Sequence, residues 1–98
     1  MSVVAKTILT QLGGRRFSTM TGAINLLDHG DALSMRFGRN SSNSNYLKVT
    51  LNCMDLYDLR FSKVSKWGEE KSIKTYHDIY CDELVETFEA HTGMYTSL

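Results

Sequence analysis

Residues 46–62, YLKVTLNCMDLYDLRFS, contain two stretches in which apolar and polar side chains alternate. Strict alternation is typical of a strand with one buried face. The connection between the stretches, near residues 52–55, is too short for a parallel crossover, which needs about a dozen residues, so the two strands are predicted to be antiparallel. The apolar positions of this pair are Leu47, Val49, Leu51, Tyr57, Leu59 and Phe61.

The alternation continues upstream in residues 32–37, which predict another strand after a turn at residues 28–31. Residues 15–27 favour a further strand, bent near Gly22, where the missing Cβ permits a bulge. Downstream, residues 72–76 suit a short fifth strand. The middle of the chain therefore predicts a sheet of four or five strands.

Helical periodicity marks both ends of the chain. Ser2 is a predicted N-cap for a helix of about three turns, which ends at the Gly13-Gly14 pair. Over residues 77–92 the apolar side chains fall on one side of a helical wheel and the acidic side chains on the other, and Gly93 is predicted to end this second helix.

These elements predict an α+β fold, a two-layer sandwich in which an N-terminal and a C-terminal helix cover one face of a four- to five-stranded antiparallel sheet. We expect residues 1–98 to form a single domain, because the length suits one domain and no linker or repeat interrupts the chain. The sheet residues predicted to face the core are Leu33, Met35, Phe37, Leu47, Val49, Leu51, Tyr57, Leu59 and Phe61.

The composition limits the classes of function. The chain has 11 basic and 11 acidic side chains, and this zero net charge excludes a simple polycation that coats nucleic acid and a wholly acidic mimic of DNA. The charges are unevenly divided, with nine basic and four acidic residues in residues 1–66 and two basic and seven acidic residues in residues 67–98. No apolar run has the roughly 18–20 residues of a membrane helix, no secretory signal is present, and there are only two cysteines, so we expect a cytoplasmic protein with no membrane contact.

A basic surface is predicted on the sheet face opposite the helices, where cations can hold phosphates and an aromatic ring can stack on bases. Two arginines next to the flexible Gly13-Gly14 pair suit a phosphate or a carboxylate. The alternative interpretations are a solvated sheet face and a glycine pair that only ends a helix. The candidate residues of this basic surface are Arg15, Arg16, Arg36, Arg39, Tyr46, Lys48 and Arg60.

An acidic surface is predicted on the C-terminal helix, whose outer face carries five carboxylates and no basic side chain. Exposed helices usually mix charges of both signs at i,i+4 spacing, so a basic protein partner is a hypothesis for this face. A solvated face is the alternative. The candidate residues are Asp78, Asp82, Glu83, Glu86 and Glu89.

Metal binding and catalysis have little support in the chain. His77 and Cys81 have the i,i+4 spacing of half a zinc site, but no second Cys/His pair matches it, so we expect both side chains to line the apolar side of the helix. The Gly-x-Ser-x-Gly motif of hydrolases and the known protease patterns are absent. We therefore expect no enzyme activity, no metal and no cofactor.

The chain resembles a group of small proteins from phages, prophages and plasmids in four segments, LGGRRF at 12–17, MTGA at 20–23, DLYD at 55–58 and TGMYTSL at 92–98. Residues 24–27 depart from the group's pattern, which has a basic and an aromatic residue there. Most members of the group have no assigned function, and no catalytic residue is carried over. Small phage proteins with paired charged surfaces often inhibit host machinery, as anti-CRISPR proteins do, so the resemblance implies such an inhibitor in a bacterial host.

Two functions are predicted as alternatives. In the first, a non-catalytic interaction protein binds and inhibits a host protein or ribonucleoprotein complex, through its acidic helix or through contact of the basic sheet with an RNA or DNA backbone. In the second, a small nucleic-acid-binding protein uses the basic sheet face directly. A role in phage assembly is a third interpretation, and the oligomeric state stays open because a sheet edge permits dimers.

Overall fold

The computed structural model describes residues 2–37 and 44–93, and in them five strands form one antiparallel sheet. The strand order is β1-β2-β3-β4-β5, so each strand pairs with its neighbour in the sequence. The predicted α+β class is confirmed. The elements are α1 (Val3–Leu12), α2 (Arg15–Thr21), β1 (Ile24–Asp28), β2 (Ala32–Arg36), β3 (Tyr46–Leu51), β4 (Tyr57–Val64), β5 (Glu70–Ile79), a 3-10 turn (Cys81–Glu83) and α3 (Leu84–Thr92).

The register of the sheet separates its two faces. Leu33 lies opposite Val49, and Val49 lies opposite Leu59, so the apolar residues of three strands share one face. Eight of the nine sheet residues predicted for the core are buried, and the ninth, Leu51, packs against the core while partly exposed. The buried residues of the helices pack on the same face, and no helix of the described residues covers the opposite face of the sheet, here called the open face.

Helix α1 begins and ends where the sequence predicts. The Ser2 hydroxyl accepts a hydrogen bond from the Ala5 N–H at 3.2 Å, and Gly13 ends the helix with a φ of 122°. The start of α1 is also tied to the β1–β2 turn, because the backbone N–H and the hydroxyl of Ser2 both donate to Asp28. These hydrogen bonds, with one from the Gly30 N–H, lower the pKa of the Asp28 carboxyl.

The strand predicted over residues 15–27 is wrong in its first half, which forms helix α2. Phe17 and Thr21, four residues apart, are both buried, and Gly22 ends the helix in the left-handed conformation. The aromatic and β-branched residues of this segment favour a strand by propensity, but the burial of Phe17 against Phe88, with ring centroids 5.1 Å apart, favours the helix. Seven residues are too few to show a helical period in the sequence.

The C-terminal helix is shorter than predicted. Residues 77–79 belong to β5, a ten-residue edge strand, and the α-helix itself begins only at Leu84. The predicted burial of His77 and Cys81 is therefore wrong, since the His77 side chain is 69% exposed and Cys81 is exposed as well. The end of the helix is as predicted, because Gly93 adopts a φ of 73° and donates its N–H to the Glu89 carbonyl.

Aromatic rings join the helices to the sheet. Phe88 of α3 lies at the centre of this group, with ring centroids 5.1 Å from Phe17, 5.4 Å from Phe37 and 6.1 Å from Phe61. Two of these contacts are edge-to-face, the geometry that the ring quadrupole favours. One side chain thus packs against helix α2, strand β4 and the residue that follows β2.

Candidate functional site

The open face brings together four of the predicted basic-surface residues. Arg36 of β2 lies directly opposite Tyr46 of β3, and Lys48 lies opposite Arg60 of β4. Tyr46 and Lys48 are two residues apart on one strand, so their side chains point to the same face. The four residues are therefore neighbours, as the alternation in the sequence predicts.

Arg60 forms an ion pair with another residue of the protein. Its Nε donates to the Glu70 carboxylate of β5 at 2.8 Å, a second guanidinium nitrogen contacts the same oxygen, and the Ser62 hydroxyl donates to it at 2.7 Å. These contacts, with Arg60 the largest cause, lower the pKa of Glu70. Glu70 thus neutralises much of the charge of Arg60. The sequence does not predict this ion pair, because only the pairing of β4 with β5 brings the two residues together.

The remaining cations of the open face are Arg36 and Lys48. Both are half-buried, and within the described residues neither forms an ion pair. Tyr46 between them is also half-buried, with part of its side chain exposed. This cluster of one ring and two cations can contact an anionic group and stack on a planar one.

The other predicted basic residues do not join this cluster. Arg15 and Arg16 lie on α2, in the helical layer, where they line a surface cavity of ≈ 510 Å³ together with Thr19 and Met20. Arg39 lies outside the described residues. The predicted basic surface is therefore divided between the open face and the helical layer.

The structure places four of the five residues of the predicted acidic surface on the helical segment 81–92 and one, Asp78, outside it. The helix is predicted to include residue 77, but Asp78 lies near the end of β5 with a φ of 56°, and the helical segment begins only at Cys81. Asp78 belongs to β5, Asp82 and Glu83 to the 3-10 turn, and Glu86 and Glu89 to α3. The 3-10 turn continues directly into α3 at Leu84, so these last four residues lie on one continuous helical segment, and the acidic surface stays a prediction without Asp78.

Asp78 belongs to a polar network at the end of β5. The Asn52 side-chain amide donates to Asp58 at 3.3 Å and to Asp78 at 3.0 Å, and the Asp78 N–H donates to Asp58 at 3.1 Å. His77 Nδ1 lies 3.5 Å from the same Asp58 carboxylate. Within residues 2–37 and 44–93, no group of three or more His, Cys, Asp or Glu is placed to hold a metal ion.

A second network surrounds His91 at the end of α3. Its Nε2 lies 3.1 Å from the Ser44 hydroxyl, its Nδ1 lies 3.1 Å from the Tyr76 hydroxyl, and its ring stacks on Phe61 at 3.9 Å. Burial, with a smaller effect of Lys74, lowers the pKa of His91. A serine beside a histidine is the arrangement of a nucleophile and its base, and here the serine, Ser44, is only 2% exposed.

Residues 63–74, for which the sequence predicts no binding role, form the far end of the β4–β5 hairpin and carry the exposed Trp67. Comparison of the chain with protein-family models, with curated proteins and with solved structures found no match. In the part of the chain that the structure describes, no helix has the length and hydrophobicity to cross a bilayer. The assignment of function therefore rests on the surfaces of this chain.

Proposed function

We propose that this chain is a non-catalytic interaction protein of a phage, prophage or plasmid, which binds and inhibits a nucleoprotein complex in the cytoplasm of a bacterial host, in the manner of an anti-CRISPR protein. The observation that carries the proposal is the open face of the sheet, where Arg36, Tyr46 and Lys48 are neighbours. The resemblance of four segments of the chain to small proteins of mobile elements supports the origin.

The open face suits a large partner better than a small molecule. Small-molecule sites are concave and mostly apolar, whereas this surface is a sheet face with one ring and two cations. Arginine and tyrosine are the side chains that most often dominate binding between macromolecules. The acidic residues of segment 81–92 remain the alternative contact, and we assign the host complex to the open face because it brings a ring and two cations together.

A second candidate function is direct binding of nucleic acid by the same cluster. It is favoured by the cross-strand pair of Arg36 and Tyr46, because an aromatic ring beside a guanidinium on an antiparallel sheet is how several RNA-binding domains hold an unstacked base. The two functions differ in what they require. The first needs a protein complex of the host, and the second needs only a nucleic acid.

Affinity capture from the natural host tests the proposal. Wild-type protein is compared with Arg36→Glu/Lys48→Glu, and the matched control is Arg15→Glu/Arg16→Glu, which makes the same charge change in the helical layer. We expect the wild type and the control to retain one nucleoprotein complex and to inhibit its purified activity, and the open-face variant to lose both. Recovery of no host complex by the wild type contradicts the first function.

Nuclease treatment separates the two candidates. If the complex stays bound after the nucleic acid is digested, the contact is with protein, as the first function requires. If the purified chain shifts single-stranded RNA or DNA by itself, and that shift is salt-dependent and lost in Arg36→Glu/Lys48→Glu, the second function replaces the first.

A further inference from the structure

The β4–β5 hairpin extends past the rest of the sheet. β3 begins at Tyr46, which lies opposite Ser62, whereas β4 continues to Val64 and β5 begins at Glu70. Residues 63–71 therefore lie beyond the end of β3. We call residues 63–74 the lysine arm, because four lysines lie in it: Lys63, Lys66, Lys71 and Lys74.

The tip of the lysine arm is ordered by its own hydrogen bonds. The Gly68 N–H donates to the Ser65 carbonyl at 3.0 Å, the Ser65 N–H donates to the Glu69 carbonyl at 2.8 Å, and Gly68 adopts a φ of 86°. This is the pattern of a three-residue hairpin loop with glycine in the left-handed position. It presents Lys66 and Trp67 at the tip, where Trp67 is 79% exposed.

The strand register places charges of opposite sign on opposite sides of the arm. Glu70 lies opposite Val64 and contacts Arg60 on the open face. Lys63 follows the buried Phe61 by two residues on β4, so its side chain points to the helix side of the sheet. Lys71 lies directly opposite Lys63 and therefore points to the same side.

Lys74, opposite Phe61, also lies on the helix side, with its Nζ 5.5 Å from the Tyr76 ring. Among the described residues, Lys66, Lys71 and Lys74 form no ion pair. The helix side of the arm and its tip therefore carry a group of exposed ammonium ions next to an exposed indole ring.

We infer that the lysine arm is a binding site for single-stranded nucleic acid, with Lys66, Lys71 and Lys74 contacting phosphates and Trp67 stacking on an unpaired base. Ammonium groups on flexible stems contact phosphates without sequence preference, and an aromatic ring stacks on any base that is not already stacked in a duplex. An anionic membrane fits less well, because interfacial binding needs a continuous apolar surface beside the cations. Trp67 is a single ring at the tip of a polar hairpin.

This site is separate from the surface of the proposed function. The lysines of the arm point to the helix side, whereas Arg36, Tyr46 and Lys48 lie on the open face. Either surface can therefore be changed without changing the other, so failure of one proposal leaves the other testable.

Fluorescence titration tests the inference directly, because Trp67 is the one tryptophan in the chain. The purified full chain is titrated with a single-stranded oligonucleotide of about 16 nucleotides, with a duplex of the same sequence, and with vesicles of phosphatidylcholine and phosphatidylserine. We expect quenching of Trp67 emission by the single strand, with an affinity that falls as salt rises and exceeds the affinity for the duplex. A response to the vesicles without a response to the single strand overturns the inference.

Variants assign the contacts. We expect Lys66→Gln/Lys71→Gln/Lys74→Gln to bind a labelled single strand at least about tenfold more weakly and to reduce the slope of log affinity against log salt by about 2, since each phosphate contact contributes about 0.7. Trp67→Ala is expected to weaken binding about tenfold with an unchanged slope, since stacking does not release counterions.

Two controls test whether the effects are specific to the arm and whether each variant is folded. Lys6→Gln, which replaces an exposed lysine of α1 away from the arm, is expected to bind the strand as the wild type does. Circular dichroism of every variant checks that the fold is retained. Unchanged affinity and slope in the triple lysine variant overturn the inference.

Discussion

The side-chain amide of Asn45 binds both backbone polar groups of Val64, with its Oδ1 accepting from the N–H at 2.7 Å and its Nδ2 donating to the carbonyl at 2.9 Å. The amide therefore supplies the pair of hydrogen bonds that another residue of β3 would supply to β4. This one side chain holds the base of the lysine arm where the sheet is only two strands wide.

Replacement of that amide is expected to loosen the arm. Asn45→Ala leaves the half-buried N–H and carbonyl of Val64 without a protein partner, so we expect the free energy of unfolding to fall by about 1 to 2 kcal/mol. Urea denaturation measures the loss, and hydrogen exchange of the Val64 amide is expected to become faster. Gln11→Ala, an exposed position of α1, serves as the control. If Asn45→Ala unfolds at the same urea concentration as the wild type, the Asn45 amide does not stabilise the arm.

Stability is expected to depend on the ionisation of His91. Burial lowers the pKa of this residue in the folded protein from its ordinary value of 6.5, so the unfolded chain binds the proton more readily. The free energy of unfolding should therefore decrease as the pH falls from about 7 to about 5.5, and it should be fully regained above the unfolded pKa. Denaturation at several pH values measures this slope. In His91→Gln the slope should become smaller, and an unchanged slope would show that another group causes it.

The ion pair of Arg60 and Glu70 is expected to contribute little to stability despite its short contacts. The two side chains are 47% and 29% exposed, so water and salt screen their attraction. A double-mutant cycle with Arg60→Ala and Glu70→Ala should give a coupling energy below about 1 kcal/mol, decreasing at high salt. A salt-independent coupling well above that value would be inconsistent with a screened pair.

Truncation at the centre of the aromatic group is expected to have the largest effect. Phe88 is fully buried and contacts the rings of Phe17, Phe37 and Phe61. Phe88→Ala removes these contacts and leaves a cavity, so we expect a loss of about 3 to 5 kcal/mol of unfolding free energy. Phe88→Leu keeps most of the volume and should cost clearly less. Equal losses in both variants would mean that the cavity is not the cause.

The sequence predicted the centre of the sheet well, because β2, β3 and β4 each bury one face. In residues 46–62 the period of two is strict, and a shift of one residue would turn Leu47, Val49 and Leu59 to the open face, so the register follows from the pattern. The neighbourhood of Arg36, Tyr46 and Lys48 follows from the same register. The helix ends were predictable where Ser2, Gly13 and Gly93 supply local signals.

The errors have local physical causes. β5 is an edge strand whose residues are mostly exposed, so apolar and polar side chains do not alternate there. For this reason the sequence predicts its last three residues, 77–79, as part of a helix. That error placed Asp78 on the acidic helix face and produced the predicted burial of His77. The partner of Arg60 depends on the pairing of β4 with β5, which includes a register shift that no local pattern reveals.

The strand order has a consequence for how the chain reaches this structure. Because every strand pairs with its nearest neighbour in the sequence, each pairing closes only a short loop, and the loss of chain entropy at each step is small. Such a low contact order favours rapid formation of the sheet from successive hairpins. The contact of α1 with α3 is different, because it joins the two ends of the described chain. We expect that contact to form late, so substitutions between these helices should accelerate unfolding more than they slow folding.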